Sequence, residues 1–319
     1  MNAPVIVFAY NRAEKLEKCI GSLQKCKGSE LTEVFIYADG SKGENDAEAV
    51  NLVRKYLDEL EKDHGFKQLK VIRRPANIGL ADNVIAGVTE IIERNGRVIV
   101  LEDDLMVGAG FLLYMNQALD FYEKDDHIWS ITGFTEPVSR FKGYDHDIYY
   151  SYRGCSYGWG TWKDRWDTVD WDMKRYDEVM SDKMLRRKFE RGGRDMIRIL
   201  KDQKAGLVNS WAIRWCLEQS LQNKYTVYPV KSLVNNTGND GSGTNAMRYP
   251  RTQVWAEESV NATLPKLEHL KPDRRICIDF YRYHSDILKR IMRNLNIKGI
   301  KKQMGRFVSL LYQERNRLP

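Results

Sequence analysis

No run of eighteen apolar residues occurs in this 319-residue chain, so no segment is expected to span a bilayer. The N-terminus, residues 1–8, carries no basic region before its short apolar stretch, and no signal peptide is expected there. Cysteine is sparse: Cys19, Cys26, Cys155, Cys216 and Cys277 are odd in number and scattered, with no Cys-x-x-Cys pair and no histidine at zinc spacing. That pattern argues against a disulfide framework and for reduced thiols in a cytoplasmic setting. Three signatures of other chemistries are missing as well. There is no Gly-x-x-x-x-Gly-Lys-Ser/Thr, which disfavours a phosphate-cradling ATPase loop. The first apolar run leads into Ala9-Tyr10-Asn11-Arg12 instead of Gly-x-Gly-x-x-Gly, which disfavours a dinucleotide-binding oxidoreductase. No Gly-x-Ser-x-Gly elbow for a serine nucleophile is present either.

Positive charge is also missing from most of the chain. Residues 1–265 hold 37 Lys and Arg against 39 Asp and Glu, whereas residues 266–319 hold 14 against 5, so the basic excess belongs to the tail alone. A nucleic-acid enzyme carries its basic surface around its site, and this distribution argues against such a partner. Within 284–311, Ile287, Leu288, Ile291, Met292, Leu295, Met304, Phe307, Val308 and Leu311 recur at helical spacing with lysines and arginines between them. A basic amphipathic helix of this kind can lie on an anionic membrane surface, or pack on its own domain with a solvated basic face.

What the chain does have is a strand and helix alternation with few interruptions. Apolar runs at Val5–Ala9, Glu33–Ala38, Leu69–Arg73 and Arg97–Leu101 read as strands, and Ala13–Gln24, Ala47–Glu61 and Leu80–Arg94 show helical periodicity. Units of this length imply right-handed crossovers and a mainly parallel sheet, hence an α/β fold. Each strand then ends in a polar loop on the same sheet edge, and four such loops form one crevice. A further helix is expected near Ala109, a strand at Ile128–Gly133, a helix over 209–225 and a strand at Val227–Leu233. The block Tyr149–Trp171 is dense in aromatic residues and reads as core rather than as a sugar-stacking surface. Residues 235–245 hold no large apolar side chain and form a candidate for a mobile loop that closes over a ligand.

The most informative loop follows the fourth strand, where Val98-Ile-Val-Leu101 ends abruptly in Glu102, Asp103 and Asp104. Three adjacent carboxylates at the C-terminal end of a buried strand lie where open α/β sheets bind ligands. Their mutual repulsion calls for a cation, and oxygen-only ligands favour Mg2+ or Mn2+ over zinc. An acidic turn that caps the next helix is the structural alternative.

In order and spacing, Pro4–Arg12, Ala38-Asp-Gly-Ser-Lys42, Asn77-Ile-Gly-Leu80 and Leu101-Glu-Asp-Asp-Leu105 resemble the donor-binding half of GT-A glycosyltransferases. The likeness is to N-acetylglucosaminyltransferase I and bacterial relatives in surface-polysaccharide synthesis, and it extends through Gly154–Trp171, Asn209–Trp215 and Asp240–Gly243. The resemblance implies a GT-A fold with a C-terminal helical extension: residues 1–127 as the donor-binding half, 128–265 as the acceptor-binding and catalytic half, and 266–319 as a basic tail. It further implies that Ala9, Tyr10, Asn11, Arg12 and Asn77 border the nucleotide and that Asp39 reads the base edge. Glu102 and Asp103 would face the sugar and ribose, Asp104 would bind the Mn2+ or Mg2+ ion, and Ser242 would contact phosphate. The implied donor is a nucleotide-sugar, with uridine diphosphate as its carrier, and the implied acceptor a glycan or polyprenyl-diphosphate-linked glycan.

One departure stands out. Such relatives invert the anomeric carbon with a carboxylate base next to a Trp at a helix start, and here that place reads Asn209-Ser210-Trp211. Neither Asn209 nor Ser210 is a comparable base; Asp240 is the working choice, with Glu218, a shifted segment or a catalytically weakened chain as alternatives. Two other functions remain open. A sugar-nucleotidyltransferase would need a Gly-rich, basic loop after the first strand, which Ala9–Arg12 lacks, and a non-catalytic nucleotide-sugar-binding protein is supported by the missing carboxylate before Trp211 alone.

Overall fold

The computed structural model describes residues 2–136, 141, 143–240 and 264–284, with the side chains of 239 and 240 excepted. β1 (Val5–Ala9) is buried along its whole length and alternates between two faces of the sheet. Val5, Val7 and Ala9 pack with one apolar layer and Ile6 and Phe8 with the other, so the strand serves two cores at once. The first layer draws on α1 (Ala13–Gln24), which buries Leu16, Cys19, Ile20 and Leu23. β2 (Glu33–Ala38) follows, and α2 (Glu44–Leu60) adds Val53, Leu57 and Leu60 to the same layer. α2 starts three residues before the expected Ala47, because the Asp46 carboxylate accepts from the Lys42 and Gly43 amides and so caps the first turn. β3 (Gln68–Arg73) leads to α3 (Leu80–Asn95), whose Val84, Val88 and Ile91 cover the opposite face. α3 stops at Gly96, which adopts the left-handed conformation that ends helices.

β4 (Arg97–Glu102) runs beside β1 and ends in the three carboxylates, after which β5 (Leu105–Val107) turns away and α4 (Phe111–Phe121) returns. The helix expected near Ala109 therefore begins two residues later. β6 (Ile128–Thr132), β7 (Ile148–Ser151) and β8 (Trp159–Trp162) come next, followed by the short helices α5 (Lys163–Trp166), α6 (Tyr176–Ser181), α7 (Lys183–Glu190) and α8 (Asp195–Lys204). α9 (Trp211–Leu221), β9 (Tyr225–Pro229), β10 (Val234–Asn236) and α10 (Arg274–Tyr283) complete the described elements.

The eight-stranded sheet has the order β3-β2-β1-β4-β8-β6-β9-β7. Six strands point one way; β7 and β8 run against them, so the sheet is mainly but not wholly parallel. β8 joins β4 to β6, and the two halves of the chain thus share one continuous sheet. The strand expected at Val227–Leu233 divides instead. Pro229 has no N–H to continue the ladder, so β9 ends there and β10 pairs antiparallel with β5 at the crevice edge. The expected 209–225 helix is shorter at both ends: Ser210 caps it, with Oγ accepting from the Ile213 amide at 3.3 Å, and the chain turns back at Asn223 through a positive φ.

The aromatic block is core. Trp159 is fully buried, and its ring lies 5.0 Å from Trp211, 5.5 Å from Trp215 and 5.9 Å from Trp166, centroid to centroid. This stack fills the layer between the sheet and α3, α5 and α9. α10, within the expected C-terminal helical extension, buries Ile276 and Phe280, the latter 5.5 Å from Tyr228. Beside it, His284, Asp195 and Arg153 form a polar cluster, with Arg153 Nη1 donating to Asp195 Oδ1 at 2.8 Å. Burial opposes ionisation of Asp195, but the Arg153 charge outweighs it and holds the carboxyl below its usual range. Burial pushes the His284 imidazole the other way, below its ordinary value. Among the described residues no helix is long and apolar enough to cross a membrane, and the basic stretch proposed to dock on one lies outside them beyond His284.

Candidate active site

Six of the sheet's strands deliver their C-terminal ends to one edge, and a cleft of about 430 Å3 opens there. That volume is in the range of small-ligand sites. Ala9, Tyr10, Asn11, Arg12, Asp39, Asn77, Glu102, Asp103, Asp104 and Asn209 all line it, so the four polar loops converge as the alternation implied. One expected residue is not brought in. Glu218 lies on the third turn of α9, accepts a hydrogen bond from Gln222 Nε2 at 2.9 Å, and takes no part in the lining. Ser242 falls outside the described residues, as does the Asp240 side chain.

Arg12, at the head of α1, reaches across to the end of β4. Its guanidinium pairs with Asp103 and donates to Asp104 Oδ2 at 2.9 Å, so one cation bridges two of the carboxylates. Burial disfavours the charge on Arg12, yet Asp103 and Asp104 outweigh it and raise the guanidinium further above its usual value. One guanidinium does not neutralise three acids. Burial raises Asp103 to about 6 in spite of Arg12, and burial together with the Asp104 and Asp103 charges pushes Glu102 up to about 8. The strand end therefore retains a demand for protons or further positive charge.

Asp39 is fully engaged by backbone. Its Oδ1 accepts from the Gly40 and Ile78 amides and its Oδ2 from the Gly79 amide, each at 3.0 Å. Asn77 Nδ2 returns a bond to Gly40 O at 2.9 Å, so the loops after β2 and β3 are stitched together. The approach is close enough that a Cβ on Gly40 would sit 2.4 Å from the Ala76 carbonyl carbon. Asp46 accepts from Tyr10 Oη, and Lys42 lies 5.6 Å from the Tyr10 ring, which leaves Tyr10 as a fixed aromatic wall.

The start of the loop expected to be mobile is ordered against the acidic turn. Thr237 donates to Asp104 O through both its amide, at 2.9 Å, and its Oγ1, at 2.8 Å. Gly238 follows in a 3-10 turn, and a Cβ placed on it would lie 2.1 Å from Asp104 Oδ2 and 3.1 Å from Asn236 Oδ1. The Asp104 carboxylate thus packs directly against the Gly238 backbone, where no side chain fits, and Asn236 Oδ1 accepts from the Gly238 amide at 2.7 Å. Among the described residues no group of three His, Cys, Asp or Glu side chains is arranged to hold an ion. A magnesium-type site does not need one, since such ions keep several waters and take one or two carboxylates together with substrate phosphates. Asp104 and Asn236 offer oxygen donors of the type such ions take, although Arg12 Nη1 already occupies Asp104 Oδ2.

Asn83 was not foreseen in the lining, and Lys42, Ser156, Tyr157, Trp211 and Asn236 lie in segments singled out from the sequence without a site role of their own. Most reach the cleft from elements whose sheet neighbours were not evident. The family model for Glycosyl transferase family 2 matches residues 5–186, more than half of the chain. The chain belongs to glycosyl transferase family 2. The α/β sheet with helices on both faces is the GT-A architecture expected of it. No curated protein sequence matches the chain. Among solved structures, TarS 1-349 from S. aureus is similar at 15% identity and a TM-score of 0.42, over 75% of this chain and 61% of that one. The mannosyltransferase PcManGT from Pyrobaculum calidifontis, in complex with GDP-Man and Mn2+, is similar at 12% identity and 0.37, over 51% and 46% of the two chains. GalNAc-T7 with UDP, GalNAc and Mn2+ is similar at 18% identity and 0.31, over 41% and 23%. The chain spans less than two thirds of the length of each of these structures.

Proposed function

We propose that this family 2 protein is a glycosyltransferase that moves a sugar from a nucleotide-sugar, of the uridine diphosphate type, to a hydroxyl of a glycan or lipid-linked glycan, with inversion, in bacterial surface-polysaccharide synthesis. The observation that carries the reading is the convergence of Glu102, Asp103 and Asp104 with the Arg12, Asp39 and Asn77 loops in one cleft. Residues 1–127 would then bind the donor, 128–265 would receive the acceptor, and the basic stretch 284–311 would dock the protein on the cytoplasmic face of an anionic membrane.

The donor's diphosphate is the leaving group, and its charge grows as the glycosidic bond breaks. Arg12 is placed to stabilise that charge from one side of the acidic turn. Asp104, helped by Asn236, would hold Mn2+ or Mg2+, which when bound offsets the negative charge of a diphosphate leaving group. Tyr10, Asp39 and Asn77 keep the nucleotide walls in place, and Trp211 with Tyr157 bounds the far side where the sugar would stand. Asn77 and Lys42 supply polar contacts at the base end of the cleft.

The test is to incubate the protein with a panel of nucleotide-sugars and Mn2+ and to follow nucleoside diphosphate. Its release supports a transferase. Pyrophosphate released from a nucleoside triphosphate would instead indicate a nucleotidyltransferase, and binding without turnover across the panel a non-catalytic binding protein.

A further inference from the structure

The transferase reading leaves one step without a described side chain, since that of Asp240 lies outside the described residues. Displacement at the anomeric carbon needs the acceptor hydroxyl to lose its proton, and the helix start where a carboxylate is expected carries Asn209. A carboxamide is not a base at neutral pH. Asn209 is moreover held from both sides. Its Oδ1 accepts from Arg214 Nη2 at 2.9 Å, and its Nδ2 donates to Asp82 Oδ2 at 3.5 Å.

Asp82 stands in the first turn of α3, exposed at the rim of the cleft across from α9. Its neighbours Gly79, Leu80 and Asn83 line the cleft, as do Asn209, Ser210 and Trp211 across the gap. The hydrogen bond therefore lays a carboxylate against the very side chain that occupies the expected position of the base. Arg214, fixed by bonds to the Ser210 and Trp171 carbonyls, places its charge near Asp82 and ties Asn209 down. We propose, on the basis of the transferase reading, that Asp82 is the general base and that Asn209 and Arg214 are positioning residues that orient it. The acceptor oxygen bonds to the anomeric carbon, its proton passes to the Asp82 carboxylate, and the bond from carbon to the phosphate oxygen breaks, its electron pair leaving with the nucleoside diphosphate. The exchange of Asn209 for a carboxylate at that position is thus matched by a carboxylate one side chain away, on a different helix.

The experiment uses the full chain and the donor identified from the nucleotide-sugar panel, with water as acceptor and with azide as a competing one. Azide is already an anion and needs no base. Asp82→Asn is expected to lower kcat for hydrolysis by about 100-fold or more and to leave KM for the donor and the melting temperature unchanged. With azide the same variant should match the wild type. Restoring a carboxylate across the gap, as Asp82→Asn with Asn209→Asp, should recover at least about tenfold of the lost hydrolysis, a part of that same base contribution. Wild-type hydrolysis by Asp82→Asn, or equal losses with water and azide, would overturn the assignment. No nucleoside diphosphate from the wild type with any donor would overturn the transferase reading and this inference with it, a result told apart from the others because it appears before any substitution is made.

Discussion

Replacing Asp39 by asparagine tests whether this residue works by touching the base or by holding two loops together. Both carboxylate oxygens are already occupied by three backbone amides, of Gly40, Ile78 and Gly79. Asparagine keeps a single accepting oxygen and turns an N–H toward at least one of those amides. A hydrogen bond to a charged group contributes about 1.5–3 kcal/mol, and the two that persist weaken as the charge is lost, so the net cost is about 3 kcal/mol. For a chain of this size that corresponds to a fall in melting temperature of about 6 °C, at roughly 2 °C per kcal/mol. The cost is local, so it should appear first as faster hydrogen exchange at the Ile78 and Gly79 amides. Donor binding, measured by calorimetry, should weaken for uridine and guanosine diphosphates alike, because the wall that moves is shared by any base. A selective loss of uridine nucleotides with unchanged amide protection would refute the clamp and return Asp39 to a direct role in reading the base.

Gly238→Ala should weaken Mn2+ binding in the presence of nucleoside diphosphate, followed by electron paramagnetic resonance, with little change in melting temperature, since the new Cβ would collide with the Asp104 carboxylate while the sheet stays intact. His284 and Asp195 should each remove stability with acid, in two stages set against the gain from protonating Glu102 and Asp103 below about pH 8. His284, held below its ordinary value, binds protons more readily in the unfolded chain, so stability present above about pH 6.5 declines as pH drops below it. Asp195, held below its usual range, contributes stability above about pH 4 that is lost as pH falls through its folded pKa. Urea midpoints across this range should show His284→Gln flattening the first stage and Asp195→Asn the second, and an unchanged profile in either would count against the cluster. Trp159→Ala should cost about 3–5 kcal/mol in chemical denaturation, because the ring sits at the centre of the buried stack.

The first hundred residues were legible because each strand there is an apolar run and each helix keeps its 3.6-residue spacing, down to the limits of α1 and β1. The second half was harder for a physical reason. β7 and β8 are short, aromatic and fully buried, so neither alternation nor an aliphatic run marks them as strands. The Val227–Leu233 segment looked continuous since burial alone does not reveal that Pro229 ends one ladder before Val234 starts another. In the site, adjacency along the chain made Glu102, Asp103 and Asp104 conspicuous, whereas Tyr157, Asn236 and Gly238 arrive there only through sheet pairing. Asp82 was invisible for the opposite reason: an acid in a helix's first turn is ordinary until the helix across the cleft is known.

The reversed direction of β8 has a practical consequence for engineering. A strand that runs with its neighbours presents its exit loop to the cleft, but β8 presents its entry, so Ser156 and Tyr157 reach the site just ahead of Trp159. Residues 155–157 can therefore be varied between two fixed points, Gly154 and Gly158, whose Cβ positions meet Trp215 and Val234, without disturbing the loops that carry Arg12, Asp39 or Asp104 or the Arg153 pair with Asp195. Libraries built there would vary the wall facing the incoming sugar while the charge-handling edge stays constant.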